Sequence, residues 1–258
     1  NMQIKLFSSI DEVNFSSDIS LIENIRFFPG ELENDEEFGK KLSNIADVYV
    51  FDAFGTSHRP HASTYGAIKA SEVSCAGLLL EIETDALQQA ISSKNSPMLS
   101  IVGGSKVSSK LKVIKNLSKI SDDVLTGGGI TNTILKAQGH NIGLSLHEDS
   151  MLNDAKELLD TGKILLPDEV VVSKDIESNN TRVTKVNSVQ HDEIILDQIL
   201  SPAIIKKIIL AKKIIWNGPV GVFERQPFSV GTKALAEAIA SSQAFSLAGG
   251  GETLLAIK

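Results

Sequence analysis

Lys106 and Lys110 stand four residues apart, directly behind Gly103-Gly104, in the run IVGGSKVSSKL. At the start of a helical pattern that spacing puts both ammonium groups on one face. A helix amino terminus favours anions and opposes lysines. Two cations there make chemical sense when a phosphate lies between them and the backbone amides. A solvated lysine-rich face is the plain alternative. The spacing differs from G-x-x-x-x-G-K-[ST], which sets aside the common P-loop class of nucleoside triphosphatases.

Further apolar runs also end in glycine. TGGG follows Val124-Leu125, NGPVG follows Ile214-Ile215-Trp216, and AGGG follows Phe245-Ser246-Leu247. Ligands of a parallel α/β sheet sit at the carboxyl ends of its strands, and a residue without Cβ lets backbone amides approach a phosphate closely. Gly127, Gly128 and Gly129 permit such an approach, or serve tight strand-to-helix packing. Asn217 brings an amide donor and acceptor to a strand end, and Glu224 lies just beyond, a carboxylate suited to ribose hydroxyls. In AGGGET, Glu252 and Thr253 suit a helix start as caps, and Glu252 suits Mg²⁺ held against phosphate oxygens. Trp216 and Phe223 read as core. None of the turns carries GxGxxG, which disfavours a nicotinamide-binding protein.

The first third of the chain supplies cations of another kind. Arginine occurs only at 26, 59, 182 and 225, and its planar fork matches phosphate bidentately. Arg26 and Arg59 converge if the strands around 19–23 and 48–51 are neighbours. His58 stands beside Arg59 and can donate a hydrogen bond to a phosphate; His61 follows in the same loop, with Asp52 and Gly55 nearby. His140, His147 and His191 have no metal-ligand spacing and read as surface residues. The single Cys75 excludes a disulfide framework and a Cys-rich metal site, fits a reduced cytosolic compartment, and reads as a small buried apolar residue. Net charge is −7 with pI about 5.3, so nucleic acid is not the expected partner. With 42% hydrophobic and 22% charged residues and mean hydropathy +0.05, the chain is a folding, globular one. No apolar run reaches the roughly 18 residues of a membrane span, and no signal-peptide core opens the chain. Asn1 before Met2, already in a strand-like run, reads as an interior start.

The elements that must position these residues alternate. Strands are expected at 18–23, 48–51 (fully apolar, of the buried parallel kind), MLSIV, DVLT, KIIW and FSLA. Helices are expected from an Asn34 cap with Glu37 as its capping-box partner to about Ile45, and over Glu81–Ile91, Ser108–Lys119, Ile130–Gln138, Met151–Leu159 and Thr232–Ala240. Ser201-Pro202 caps and opens another, and one begins near Glu252. EVVVS and TRVTKV read as short strands about a polar turn at 177–180. Lys94-Asn95-Ser96-Pro97 reads as a boundary between lobes. Strand and helix alternating in this way give a doubly wound α/β sheet.

ENIRFFPGE, DVYVFDAFGTSHRPHAST, IVGGSKVSSKL, GGGITNTILKAQGHNIGLSL, KILLPDEVVV, WNGPVGVFE and AGGGET run in order over nearly the whole chain. Together they resemble the phosphoglycerate kinase family, of bacterial type. The resemblance implies two Rossmann-like lobes with a hinged cleft: residues 1–95 as part of a triose-phosphate-binding lobe, and 96–258 as a nucleotide-binding lobe. It implies that Arg26, His58 and Arg59 hold the 3-phosphoglycerate end. It implies that Gly104, Lys106 and Lys110 meet the nucleotide phosphates, with Lys106 also at the transferred group. Gly127–Gly129 would flank adenine, and Asn217 and Glu224 would serve the nucleotide. Gly250, Gly251, Glu252 and Thr253 would hold its phosphates, with Mg²⁺ on Glu252. The implied reaction is reversible phosphoryl transfer between 1,3-bisphosphoglycerate and ADP, in a cytoplasmic, typically monomeric glycolytic enzyme that binds neither nucleic acid nor membrane.

The chain departs from the family pattern in three ways. An opening segment with Asp-Phe-Asn, further arginines and His-Leu-Gly-Arg is missing before Asn1. A last Ser-Thr-Gly-Gly-Gly turn is missing after Lys258. Glu252 replaces the usual Asp, moving the carboxylate by about an ångström against a strict octahedral ion. These 258 residues are therefore expected to be incomplete and not to turn over alone. The alternative function is a nucleotide-binding fragment of the same family with weak or no catalysis.

Overall fold

The structure is a computed structural model that describes residues 2–14, 16–91 and 96–258. The chain forms two compact units, Asn1–Leu87 and Gln88–Lys258. Lys94 and Asn95, where the lobe boundary was expected, lie outside the described residues, as does Asn1.

In the first unit β1 (Ile4–Phe7) pairs in parallel with β2 (Ile19–Ile22), Ile4 opposite Ile19. After α1 (Glu36–Ser43) come β3 (Tyr49–Phe51), α2 (Ala67–Ala70) and β4 (Ser74–Ala76), and β3 and β4 form a second two-stranded parallel sheet. Helix α3 (Leu78–Ile91) follows, and its last residues, from Gln88, belong to the second unit. Ile10, Leu42, Ala62 and Ala67 make a small core, with Phe28 and Phe38 stacked 5.8 Å apart beside it.

Several expectations for this unit change. Asn34 does not cap α1. It takes φ +55, in the left-handed region that Asn tolerates better than most side chains, and the cap passes to Asp35, whose Oδ1 accepts from Phe38 N at 2.8 Å. Glu37 reaches Lys40 at 3.2 Å rather than the cap. The strand at 48–51 is parallel, but Val48 and Val50 are exposed; among the described residues β3 pairs with β4 alone, in a two-stranded sheet. Cys75 lies on the equally open β4 and is exposed rather than buried.

The second unit is wound around one five-stranded parallel sheet in the order β12-β11-β5-β6-β7. Its elements in chain order are β5 (Met98–Val102), α4 (Val107–Ile120), β6 (Asp123–Thr126), α5 (Gly129–Ala137), α6 (Leu152–Asp160) and β7 (Ile164–Leu165). Then come β8 (Glu169–Ser173), β9 (Arg182–Lys185), β10 (Ile194–Ile199), α7 (Pro202–Leu210), β11 (Lys213–Asn217), α8 (Val230–Ala240), β12 (Phe245–Ala248) and α9 (Gly251–Ile257). All of β5 is buried, as a near-continuous apolar run in a parallel sheet should be. Alternate residues serve opposite faces. Leu99, Ile101, Leu125 and Trp216 pack against α7 and α8, while Val102 and Val124 pack against α4, α5 and α6. The chain is thus a mixed α/β fold with parallel sheets. Ser201 caps α7 and Pro202 opens it, as the sequence predicts.

EVVVS and TRVTKV do pair antiparallel, and β10 completes their sheet in the order β10-β8-β9. Asp197 and Gln198 disguise β10 in the sequence. Both are buried and hydrogen-bonded: Gly231 N donates to Asp197 Oδ2 at 2.8 Å, and Gln198 Nε2 donates to Thr126 O at 3.0 Å.

Candidate functional site

Register brings the glycine turns together. Ala248, Trp216, Ile101 and Leu125 lie in one row across β12, β11, β5 and β6. The chain leaving each strand therefore emerges at the same edge and level. There the NGPVG turn crosses the VGG turn at backbone contact. A Cβ on Gly103 would lie 1.8 Å from Pro219 O, and one on Gly218 would lie 2.3 Å from Gly103 O. Gly103 N donates to Asn217 O at 2.9 Å, and Trp216 Nε1 closes the turn onto Gly218 O at 2.9 Å.

Beside this crossing lies an open groove of about 510 Å³. One wall carries Gly104, Ser105, Lys106, Ser109 and Lys110; the other carries Asn217, Gly218 and Gly250–Thr253. Lys110 Nζ donates to Gly103 O at 2.7 Å and to Asn217 Oδ1 at 2.8 Å. The Asn217 amide donates in turn to Gly249 O at 2.8 Å. One side chain thus joins three turns. Burial pushes the Lys110 ammonium below its usual value, and the Glu252 carboxylate works against that. Thr253 is fully buried. Its hydroxyl accepts from Gly218 N at 2.7 Å and donates to Gly249 O at 2.8 Å, so it fastens turn to turn. Glu252 stands exposed on the groove wall in the first turn of α9.

The spacing predicts Lys106 on the helix with Lys110, and the structure places it just outside. It is the extended residue before α4 (φ −86, ψ 93), yet it still faces the same groove. Nor do the first amides of α4 wait for a phosphate. Val107 N and Ser108 N donate to the two carboxylate oxygens of Glu148 at 2.8 and 3.1 Å. Desolvation pushes the Glu148 carboxyl up, but the hydrogen bonds from Ser108 and Val107 outweigh it and hold it below the usual carboxylate range. Nothing in local spacing points to a residue about forty positions downstream, so sequence reasoning missed it.

The other candidates stand apart from the groove. Gly127 and Gly128 pack the TGGG turn against the VGG and NGPVG turns: a Cβ on Gly127 would lie 2.5 Å from Val220 Cα, and one on Gly128 (φ +62) would meet Gly104 O at 2.9 Å. Gly129 faces Leu146, which with Leu144 is exposed. Glu224 is exposed in the turn after β11 and does not line the groove. Trp216 is core, whereas Phe223 is half-buried and outside the apolar clusters. His147 is half-buried between Lys136 and Asp149 rather than on the surface.

In the first unit Arg26, His58 and Arg59 are exposed, and their side chains make no hydrogen bond or ion pair among the described residues. Strands β2 and β3 belong to different sheets, so the neighbourhood expected to bring Arg26 and Arg59 together is absent. The loop that carries His58 and Arg59 is anchored by a residue the sequence reading passed over. Buried Glu31 accepts from Ser63 N at 2.9 Å and Ser63 Oγ at 2.7 Å, with His61 Nδ1 3.7 Å away.

The phosphoglycerate kinase family model matches residues 8–258. The chain belongs to the phosphoglycerate kinase family. It is 49% identical over 239 residues to the phosphoglycerate kinase of Baumannia cicadellinicola subsp. Homalodisca coagulata, a match covering 92% of this chain and 62% of that relative's length. The phosphoglycerate kinase of Coxiella burnetii superposes with TM-score 0.86 at 39% identity, over 98% of this chain and 68% of that one. That of Pyrococcus horikoshii OT3 gives 0.81 at 31%, over 98% and 70%. The mixed α/β fold with parallel sheets is therefore that of phosphoglycerate kinases.

Proposed function

We propose that the groove of the second unit binds the phosphates of Mg-ADP or Mg-ATP. We further propose that the protein to which this chain corresponds transfers a phosphoryl group reversibly between 1,3-bisphosphoglycerate and ADP. The observation that carries the reading is the meeting of Lys106, Lys110, Asn217 and Gly250–Thr253 in one groove at the carboxyl edge of the sheet. Lys110 would meet the nucleotide phosphates, and Lys106, free of the helix, the transferring group. Such a transfer needs positioning and charge stabilisation more than covalent chemistry. Lys110, partly buried and pinned by Asn217, is pre-positioned for that role. Exposed Leu146 against Gly129 offers apolar surface that a flat base can cover, with Glu224 assigned to the ribose.

Among the described residues no three His, Cys, Asp or Glu side chains gather as a cage for a metal. A Mg²⁺ ion held by the single Glu252 carboxylate and the nucleotide's own oxygens fits what the groove offers. Bound there, it would neutralise phosphate charge. Arg26, His58 and Arg59 are assigned to the triose phosphate. A cytoplasmic monomer that binds neither nucleic acid nor membrane completes the proposal; no helix among the described residues is long and apolar enough to cross a membrane.

Arg26, His58 and Arg59 are exposed and make no side-chain hydrogen bond or ion pair among the described residues, which favours a second reading for the 258 residues taken alone, namely nucleotide binding without turnover. The test is ATP-dependent turnover of 3-phosphoglycerate by protein of verified intact mass, with Lys110→Ala as control. Turnover lost in the control supports the enzyme reading. Mg-ADP binding without turnover supports the second reading, and neither binding nor turnover overturns both.

A further inference from the structure

The segment Ser145–Asp149, between α5 and α6, is tied down at residue after residue. Ser145 Oγ accepts from Ile195 N at 2.8 Å, and Leu146 O accepts from Asn132 Nδ2 at 3.1 Å. Lys136 Nζ lies 2.7 Å from His147 Nε2 and 2.7 Å from Asp149 Oδ1. Glu148 N donates to Thr133 Oγ1 at 3.1 Å, and that hydroxyl donates to Gly129 O at 2.8 Å. From a backbone so fixed to the start of α5, the Glu148 carboxylate takes the first two amides of α4. The residue before those amides is Lys106, which supplies no side-chain cap of its own. A cation is a poor neighbour for that end of a helix dipole, and unoccupied amides there would attract anions.

We propose that Glu148 is a positioning residue for the groove: its carboxylate occupies the α4 amides, holds the Lys106 backbone in its extended form, and keeps phosphate out of that amide pair. Phosphates are thereby directed to the Lys106 and Lys110 side chains opposite Gly250–Glu252. The inference rests on the nucleotide reading of this groove. It predicts that Mg-ADP weakens while inorganic phosphate does not, a divergence that a merely structural role would not produce. Removing the carboxylate unfastens Lys106 and weakens Mg-ADP, but it frees two amides for a small anion.

The test is calorimetric titration of the 258-residue protein with Mg-ADP and, separately, with inorganic phosphate. It compares wild type, Glu148→Ala and Glu148→Gln, each checked for native folding by circular dichroism. The expected result for Glu148→Ala is Mg-ADP binding weakened about tenfold, with phosphate binding unchanged or tighter. Glu148→Gln keeps one acceptor and should fall between; it decides the matter if the alanine variant does not fold. Mg-ADP affinity within about twofold of wild type in both folded variants overturns the proposal, as does a parallel fall in both affinities. A wild type that binds no Mg-ADP overturns the nucleotide reading itself, a separate failure visible before any variant is made.

Discussion

Replacing Asn217 with alanine should loosen three turns at once. The side chain accepts from Lys110 Nζ and donates to Gly249 O, both at 2.8 Å. A hydrogen bond to a charged group contributes about 1.5–3 kcal/mol and a neutral one about 1. Lys110 keeps Gly103 O at 2.7 Å and borders the open groove, so the charged bond belongs at the lower end. The loss should be about 2–3 kcal/mol from the second unit. The single tryptophan, Trp216, is the adjacent residue and is buried in that unit, so its fluorescence reports the right transition. With an m-value of about 2 kcal/mol/M, the urea midpoint should fall by roughly 1–1.5 M. Mg-ADP affinity should fall by about tenfold as Lys110 loses its anchor. Asn217→Asp keeps the acceptor for Lys110 but sets a carboxylate against Gly249 O and the incoming phosphates, so it should weaken Mg-ADP more than alanine does. A midpoint for Asn217→Ala within about 0.3 M of wild type, with unchanged Mg-ADP affinity, would refute the role assigned to this amide.

Two further outcomes concern the same unit. Gly103→Ala would drive a Cβ to 1.8 Å from Pro219 O, a backbone atom that cannot swing aside. The variant should lose about 3 kcal/mol or more, or fail to accumulate as soluble protein, and a native Trp216 transition at the wild-type midpoint would contradict this. Burial pushes the Asp197 carboxyl up to about 7 from 3.8, against the hydrogen bonds from Gly231, Gln198 and Val230 that favour its charged form. Because the folded chain then holds a proton that the unfolded chain has released, this group's contribution should fall as pH rises from about 4 to 7. The gap corresponds to about 4 kcal/mol. Asp197→Asn should flatten stability across that window, and an unchanged slope would show that another group sets it.

The sheet and its glycine turns were legible because both signals are local. Each apolar run is long enough to be a parallel strand, and three of them end where only glycine lets backbones cross, as at Gly103, Gly127 and Gly218. The cap of α7 was legible for the same reason, since Ser201 and Pro202 act within one turn. What escaped was non-local. Polar Asp197 and Gln198 mask β10 until their partners, on α8 and at the end of β6, are in place. Glu148 reaches α4 from a distant loop, so two lysines that looked like a helix-borne anion clamp became one helix residue and one extended neighbour. Cys75 and Val50 looked buried by type, but burial depends on what covers a strand, and β3 and β4 are open. The strands at 19–23 and 48–51 were expected to be neighbours and lie in different sheets, because strand pairing is the long-range choice that local pattern leaves open.

The central claim is that the groove of Lys106, Lys110, Asn217 and Glu252 is a nucleotide-phosphate site, and Mg-ADP titration of the chain against its Lys110→Ala variant tests it most directly. The account predicts saturable binding by wild type, competition by ATP, and a loss of about tenfold or more when the partly buried ammonium is removed. Binding that is indifferent to Lys110→Ala in folded protein, or no binding by wild type, would contradict it.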